Sequence, residues 1–507
     1  MSKESHKPRI LIVTPEATYL PDRLGSISDC LTAKAGGLAD VTASLICELF
    51  RQGADVHAAI PNYKTIYRDC LASHLQKDRV ALRRVLPDDR LHLAEDRLFF
   101  YRDRVYSGNG DDDLEMALVF QREVINNIIP RVAPDLIHCH DWMTALIPAM
   151  ARRAGIPCLF TLHNIHSMKT TLAAVEQKGI DVASFWDHLY FERMPQSFEE
   201  SRHGNPIELI TCGVFAAHAV TTVSPTFLDE MIGGRHDFVN QPLRMELQHK
   251  MAGGRAYGIL NAPNTIFDPT TDTAIAHPYG PDDHQPAKRA NKIALQRELD
   301  LPERPRAPVF FWPSRLDPVQ KGCQLLEHIL LSILAKYEAQ HPQVVFVADG
   351  PYQEVFRDIV NMHELHESVA VCAYDERLEH LAYAAADFVL MPSRFEPCGL
   401  PQMIGPIYGA LPVVHDTGGL HDTVRHLDIG SDTGNGFVFE VFDSNGLFWA
   451  LDQAMAFYCL PDNEKQRQIQ RVMRQSAAAF NYGVTAGQYG QVYVELLQRP
   501  VLPAADQ

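Results

Sequence analysis

No Cys-x-x-Cys pair occurs in the 507 residues, although ten cysteines are spread along the chain. The usual spacings of a structural zinc site and of a thiol redox pair are therefore missing. Several cysteines, Cys139, Cys158 and Cys372 among them, fall inside apolar runs, where a thiol packs as a small core side chain. A reduced, cytoplasmic setting is expected. Long hydrophobic runs are missing too. Ile10–Val13 is too short for the apolar core of a signal peptide, and no run approaches the ~18 residues of a membrane span. Positive charge is in short supply: the net charge is −17. That argues against non-specific binding to nucleic acid or to an anionic membrane surface, while leaving room for a local cationic pocket. Three glycine motifs are absent. No Gly-x-Gly-x-x-Gly follows the first strand, so a dinucleotide site is not supported. No phosphate loop of the Gly-x-x-x-x-Gly-Lys-Ser/Thr kind appears, and no Gly-x-Ser-x-Gly hydrolase elbow.

The composition that remains is globular, with 46% hydrophobic and 21% charged residues. The length asks for two or three domains. Continuous apolar runs of four or five residues alternate with helical patterns. Ile10–Val13, Val56–Ile60, Leu136–Cys139, Cys158–Leu162 and Ala219–Val223 read as strands buried on both faces. A loop-like stretch from Ala17 to Ala33 precedes Gly36-Gly37, a helix to about Leu49 follows, and a second helix is expected over Met143–Arg153. After a turn-rich stretch around 253–283, a second set begins: Val309–Trp312, Val344–Val347, Val369–Cys372, Phe388–Met391 and Pro412–Val414. The tail from Val484 to Leu497 is helical by its spacing and able to pack on either half. The expected fold is α/β, two doubly wound, Rossmann-like parallel-sheet domains with a cleft between them.

In such sheets ligands bind beyond the carboxyl ends of the strands, and the chemistry-bearing residues fall there. Lys34 with Gly36 and Gly37 offers a cation, a glycine turn and a helix start, a combination that suits phosphate but also makes an ordinary turn. Arg315 and Lys321 follow a strand end and supply the cations a diphosphate needs, though each alone is also a plain charged loop residue. Glu396 precedes Pro397-Cys398-Gly399-Leu400. Its carboxylate suits sugar hydroxyls or a developing oxocarbenium ion, and it suits equally a helix cap or a pairing with Arg394. His163-Asn164 ends another strand, where an imidazole can bind a hydroxyl or titrate near neutrality. Asp141 is a hydroxyl-binding candidate, and Tyr374 is either a base-stacking ring or a packed one. His138 and His140 flank Cys139 and are expected on opposite faces of their strand. They would then be unable to hold one metal together, so no zinc is expected despite 23 histidines.

In this order the motifs resemble those of the bacterial glycogen synthase and plant starch synthase family, retaining glycosyltransferases of the GT-B architecture. The resemblance is carried by Lys34-Ala35-Gly36-Gly37-Leu38-Ala39-Asp40-Val41, His138-Cys139-His140-Asp141-Trp142 and Thr161-Leu162-His163-Asn164. It continues through Thr222-Val223-Ser224-Pro225-Thr226, Gly258-Ile259-Leu260-Asn261 and Ser314-Arg315-Leu316. The most specific strings are Pro392-Ser393-Arg394-Phe395-Glu396-Pro397-Cys398-Gly399-Leu400 and Thr417-Gly418-Gly419-Leu420.

The resemblance implies transfer of glucose from ADP-glucose to the non-reducing end of an α-1,4-glucan, with no cofactor and no obligatory metal. It implies an N-terminal domain over 1–256, a nucleotide-sugar domain over 257–480 and a final helix, 481–507, crossing back to the first. His163, Arg315, Lys321 and Glu396 would be catalytic, the first through its main chain. Lys34, Gly36, Gly37, Tyr374, Cys398, Gly399, Leu400, Thr417, Gly418 and Gly419 would bind the donor, and Asp141 and Asn164 would lie on the acceptor side.

Several positions depart from the family pattern. The loop before Lys34 is long, Lys321 lies one residue further from Arg315 than usual, and Pro401 replaces a threonine. His166-Ser167-Met168 stands for Tyr-Gln-Gly, Thr211-Cys212-Gly213 stands where a lysine usually precedes Ala-Gly, and Ile404 occupies the place of a second glutamate. These changes bear on donor and acceptor choice. They keep open a different nucleotide sugar, a small acceptor, or a weakened paralogue that binds glucan as a regulator.

Overall fold

The computed structural model describes residues 7–21, 24, 33–67 and 90–502. The chain divides into two compact units, residues 1–260 with 482–507, and residues 261–481. In the first, seven parallel strands form one sheet in the order β3-β2-β1-β4-β5-β8-β9. These are β1 (Arg9–Val13), β2 (Asp55–Pro61), β3 (Leu91–Ala94), β4 (Leu136–His140), β5 (Cys158–Leu162), β8 (Ala219–Thr222) and β9 (Ala256–Gly258). A two-stranded antiparallel ribbon, β6 (Lys169–Thr170) with β7 (Ile207–Glu208), stands apart from it.

β1, β4 and β5 read as unbroken apolar or mixed runs because both faces are covered: Ile10, Leu11, Ile12, Leu136, Ile137, Leu159 and Phe160 are all fully buried. Strand order reverses between β1 and β4, and that switch point is where an open α/β sheet leaves a crevice at its carboxyl edge.

The second unit repeats the plan with six parallel strands, in the order β12-β11-β10-β13-β14-β15. They are β10 (Val309–Trp312), β11 (Gln343–Val347), β12 (Val369–Cys372), β13 (Phe388–Met391), β14 (Leu411–His415) and β15 (Phe437–Phe439). Its core lies on both faces. Trp312, Phe346, Phe356 and Leu330 pack on one side, and Phe311, Val345, Tyr383 and Tyr408 on the other. Its switch point falls between β10 and β13.

Local details differ from the periodicity. The expected Met143–Arg153 helix begins as a 3₁₀ turn, Trp142–Thr144, and turns α-helical only over Ile147–Arg153. Pro148 sits in that helix's first turn, where its missing N–H is tolerated. The 17–33 loop is closed by an antiparallel bridge between Ala17 and Ala33, and residues 22–23 and 25–32 within it lie outside the described residues. The last helix, Tyr482–Leu497, buries Tyr489, Val492 and Tyr493 in the first unit and donates from Thr485 Oγ1 to Leu260 O at 2.9 Å. Among the described residues no helix is long and apolar enough to cross a membrane.

Candidate active site

Beyond β1 the chain places a carboxylate that its sequence pattern did not single out. Glu16 is 2% exposed. One carboxylate oxygen accepts the backbone N–H of Ala35 at 2.6 Å and of Gly36 at 3.2 Å, and the other accepts Tyr106 Oη at 3.3 Å. Burial outweighs these three donors and pushes its pKa up to about 7. Glu16 thus holds the turn that carries Lys34, Gly36 and Gly37. The readable signal was a carboxylate three residues past a fully buried strand, a place where burial makes it costly without partners. Lys34 itself is exposed, with Nζ 2.8 Å from Asp40 Oδ2. Asp40 lies in the first turn of the helix Gly37–Arg51 and also accepts Thr18 Oγ1 at 3.2 Å. Gly36 is extended, and among the described residues a Cβ added at Gly36 or Gly37 meets no atom within 4 Å. Packing among the described residues therefore does not demand glycine at either position.

Beyond β4 lies Asp141, a non-glycine residue at φ 58°. Its buried carboxylate accepts the His163 N–H at 2.7 Å and Asn164 Nδ2–H at 3.1 Å. Burial again dominates, aided weakly by the Glu16 charge, and raises its pKa to about 7. Asp141 is thereby committed to the turn after β5, and it fixes the peptide of His163. The His163 ring is half-buried, with Nε2 2.9 Å from His140 Nδ1. His140 is fully buried and its Nε2 has no partner among the described residues.

His138 and His140 do not face opposite ways. Their ring centroids are 4.1 Å apart. Residues two apart on a strand share a face, and the expectation had misapplied that period. His138 bonds Tyr493 Oη at 2.8 Å and Thr161 Oγ1 at 2.7 Å. Burial depresses His138 and His163 to about 3, and His140 falls well below its ordinary value. The His163 imidazole is therefore neutral across the physiological range and does not titrate near pH 7. Among the described residues no group of three or more His, Cys, Asp and Glu side chains is placed to hold a metal ion.

In the second unit Arg315 stands exposed just past β10. The loop after it is pinned to the loop after β13: Arg394 N–H donates to Gln320 O at 2.8 Å, and Gln320 Nε2 donates to Phe395 O at 3.3 Å. Gly322, at φ 72°, caps the helix Cys323–Lys336, and a Cβ there would sit 2.0 Å from Pro392 O. This close approach carries Lys321 Nζ to 2.6 Å from Glu396 Oε2. Ser393 Oγ donates to the same oxygen at 3.0 Å. The Lys321 and Glu396 side chains are only 12% and 7% exposed. The glutamate pairs with Lys321 and neither caps a helix nor takes Arg394.

Cys398 is buried, Gly399 has φ 73°, and Leu400 leads into the helix Pro401–Ile407. Pro401 occupies that helix's first turn, where proline costs little. Gln402, another residue the sequence reading passed over, ties the loop together. Its Nε2 donates to Cys398 O at 2.9 Å, to Gly399 O at 3.1 Å and to Thr423 Oγ1 at 3.1 Å. Thr417 and Gly418 open the helix Gly418–Thr423, and Gly419 N–H donates to Glu396 O at 2.9 Å. Tyr374 is 46% exposed in the turn after β12, its N–H on Asp349 Oδ1 at 3.1 Å.

Comparison with known proteins gives the family. Residues 9–240 match the model of the starch synthase catalytic domain, and residues 307–456 match that of glycosyl transferases group 1. The chain is 30% identical to the glycogen synthase of Bacillus subtilis over 499 residues, covering 93% of this chain and 98% of that one. With the glycogen synthase of Moorella thermoacetica it shares 32% over 522 residues, 97% and 98% of the two chains. In three dimensions it is similar to the catalytic domain of starch synthase IV from Arabidopsis thaliana, solved bound to ADP and acarbose, with TM-score 0.78, 27% identity and coverage of 97% and 100%. Sucrose-phosphate synthase from Thermosynechococcus elongatus, at TM-score 0.57 and 18% identity, shares the fold.

Proposed function

Because the chain belongs to the glycogen synthase and starch synthase family of glycosyltransferases, we propose that it transfers glucose from ADP-glucose to the non-reducing end of an α-1,4-glucan, with retention. The observation that carries this reading is the Lys321–Glu396 pair at the β10/β13 switch point, built by backbone close approach into a chain related to glycogen synthases along almost its whole length. ADP and acarbose in the related starch synthase support an adenine nucleotide and a glucan-like chain as ligands.

Departure of a nucleoside diphosphate from glucose leaves negative charge on the phosphates and positive charge at the anomeric carbon. Arg315 and Lys321 neutralise the first. Fixed cations of this kind act most strongly on charge that grows in the transition state. Glu396 and the backbone of Cys398, Gly399 and Leu400 hold the sugar, Thr417, Gly418 and Gly419 line the phosphate side, and Tyr374 stacks on the base. In the first unit Lys34, Gly36 and Gly37 take part in donor binding. The open space at both glycines suits a ligand that needs bare backbone. The family resemblance assigns the His163 main chain to the anomeric centre; within the first unit its N–H is held by Asp141 and its neutral ring lies 2.9 Å from His140 Nδ1. Asp141 and Asn164 shape the acceptor side.

Incubation with ADP-glucose or UDP-glucose and a glycogen primer tests the proposal. Glucose incorporation that prefers ADP-glucose is expected; release of free glucose alone, or no turnover with either donor, overturns it. Maltotriose and glucose 6-phosphate arms test the small-acceptor reading motivated by the altered 166–168 turn, where His166 N–H is bound to Asn164 Oδ1 at 2.8 Å.

A further inference from the structure

Without ligand, the cation assigned to the diphosphate and the carboxylate assigned to the sugar occupy each other. Lys321 Nζ lies 2.6 Å from Glu396 Oε2, and both side chains are nearly out of solvent. Ser393 Oγ, in a fully buried residue, adds a second donor to the same oxygen. The arrangement is not a chance meeting of two long side chains. The pinned loops and the Gly322 contact with Pro392 O fix the separation of the two backbones, and Gly419 N–H holds the carbonyl of Glu396 itself.

From this we infer that Glu396 is a specificity-determining lock on Lys321, making the site discriminate a nucleoside diphosphate that carries a sugar from one that does not. The inference rests on the function proposed above and deepens it. A diphosphate that draws Lys321 away strips Glu396 of its counter-charge and sets two anions near each other, which is unfavourable in a poorly solvated site. With the full donor, sugar hydroxyls replace the ammonium as donors to Glu396, so the loss is offset. With the bare diphosphate nothing replaces it. The product of transfer is the bare diphosphate, so the lock also favours its release. Ser393 limits the penalty without removing it, because one neutral hydroxyl does not balance a carboxylate.

The test is calorimetric titration of the full-length protein and of Glu396→Gln with ADP and with ADP-glucose. Glutamine keeps the shape and loses the charge. The expected result is ADP bound about ten-fold tighter by Glu396→Gln than by the wild type, with ADP-glucose bound no tighter, so the ratio of the two affinities moves toward ADP. The gain must shrink in a Lys321→Met background, because it comes from freeing Lys321; a double-mutant cycle reads that coupling. Unchanged or weaker ADP binding by Glu396→Gln overturns the lock, as does a gain that persists in full in Lys321→Met. A wild type that binds ADP and extends glycogen while Glu396→Gln fails to gain removes only the lock. A wild type that binds neither nucleotide removes the functional reading as well. If Glu396→Gln does not fold, Ser393→Ala gives the second reading: loss of the competing donor tightens the hold on Lys321, and ADP affinity falls relative to ADP-glucose. An unchanged ratio in Ser393→Ala overturns the lock.

Discussion

The two sheets end their strands in opposite electrostatic states. Along and past β1, β4 and β5 burial works against charge: three imidazoles have depressed pKa values, and two carboxyls, Glu16 and Asp141, are raised to about 7 and so are only partly ionised near neutral pH. Their partners are peptide N–H groups, the Asn164 amide, neighbouring hydroxyls and one another, apart from His140 Nε2. Past β10 and β13 the site holds a formal ion pair and an exposed arginine. The glycines divide in the same way. Among the described residues nothing lies within 4 Å of a Cβ built on Gly36 or Gly37, whereas a Cβ on Gly322, Gly418 or Gly419 would stand about 2 Å from a neighbouring carbonyl oxygen. One end uses groups at most partly charged to place a backbone; the other uses backbone to place charges.

The sharpest way to break this contrast is to remove a charge from the second site. Lys321→Met should lower kcat/KM for the donor about 10³-fold, the scale of losing one fixed group that stabilises transition-state charge. It should also lower stability by about 3 kcal/mol, because Glu396 is left buried and uncompensated. Steady-state kinetics and chemical denaturation read the two effects, and a loss of stability below about 1 kcal/mol would show that the pair is solvated.

The glycines give the next pair of tests. Gly418→Ala, at φ 46° and with its Cβ 2.0 Å from Glu396 O, should destabilise the second unit by about 2–3 kcal/mol. Gly36→Ala should leave the melting temperature almost unchanged yet weaken donor use about ten-fold, since among the described residues no atom lies within 4 Å of its methyl and a bound donor would meet it. Equal stability losses at the two positions would erase the distinction.

Much of this was legible in the chain. The central strands of both sheets showed as continuous apolar runs, while the short edge strands β3, β9 and β15 did not; Glu396, Lys321, Arg315 and the glycine turns fell at strand ends, because charge and glycine interrupt such runs visibly. What escaped was partnership. Nothing local tells that Lys321 reaches Glu396, 75 positions later, or that Gln402 knots the Cys398 loop. Glu16 escaped because a single acid after a strand looks like any solvated residue until burial is known. His138 and His140 were misjudged by a period error, and their neutrality follows from burial and mutual repulsion, which sequence does not display.

Glu16 and Asp141 make the first site pH-sensitive in a defined direction. Each has a folded pKa above its unfolded value of roughly 4. The native state therefore binds more protons between about pH 4 and pH 7, so this contribution to stability is full below pH 4 and lost as pH rises through 7. Glu16→Gln removes one titration. Its melting temperature relative to wild type should rise from pH 5 to pH 8, by the equivalent of about 2–3 kcal/mol. A constant difference across that range would mean that Glu16 is ionised throughout. His163, whose pKa is depressed to about 3, acts in the opposite sense: the unfolded imidazole takes a proton below its ordinary value of about 6.5 and the native one does not, so stability falls as pH drops from about 6.5 toward 3.

The smallest effect belongs to the far end of the neutral network. Tyr493→Phe removes the hydroxyl 2.8 Å from His138 Nδ1 and leaves Thr161 Oγ1 as the ring's other partner. The lost group is a hydrogen bond between uncharged partners, so the cost is that of one buried unsatisfied nitrogen, about 1–2 kcal/mol. His138 lies behind His140 rather than against the His163 peptide, and Asp141 still holds that peptide. The melting temperature should therefore fall while kcat and the donor KM stay within about two-fold. A loss of kcat as large as that of Lys321→Met would mean that the final helix sets the geometry of the His163 turn, and that the first site depends on a single relay as strictly as the second depends on its ion pair.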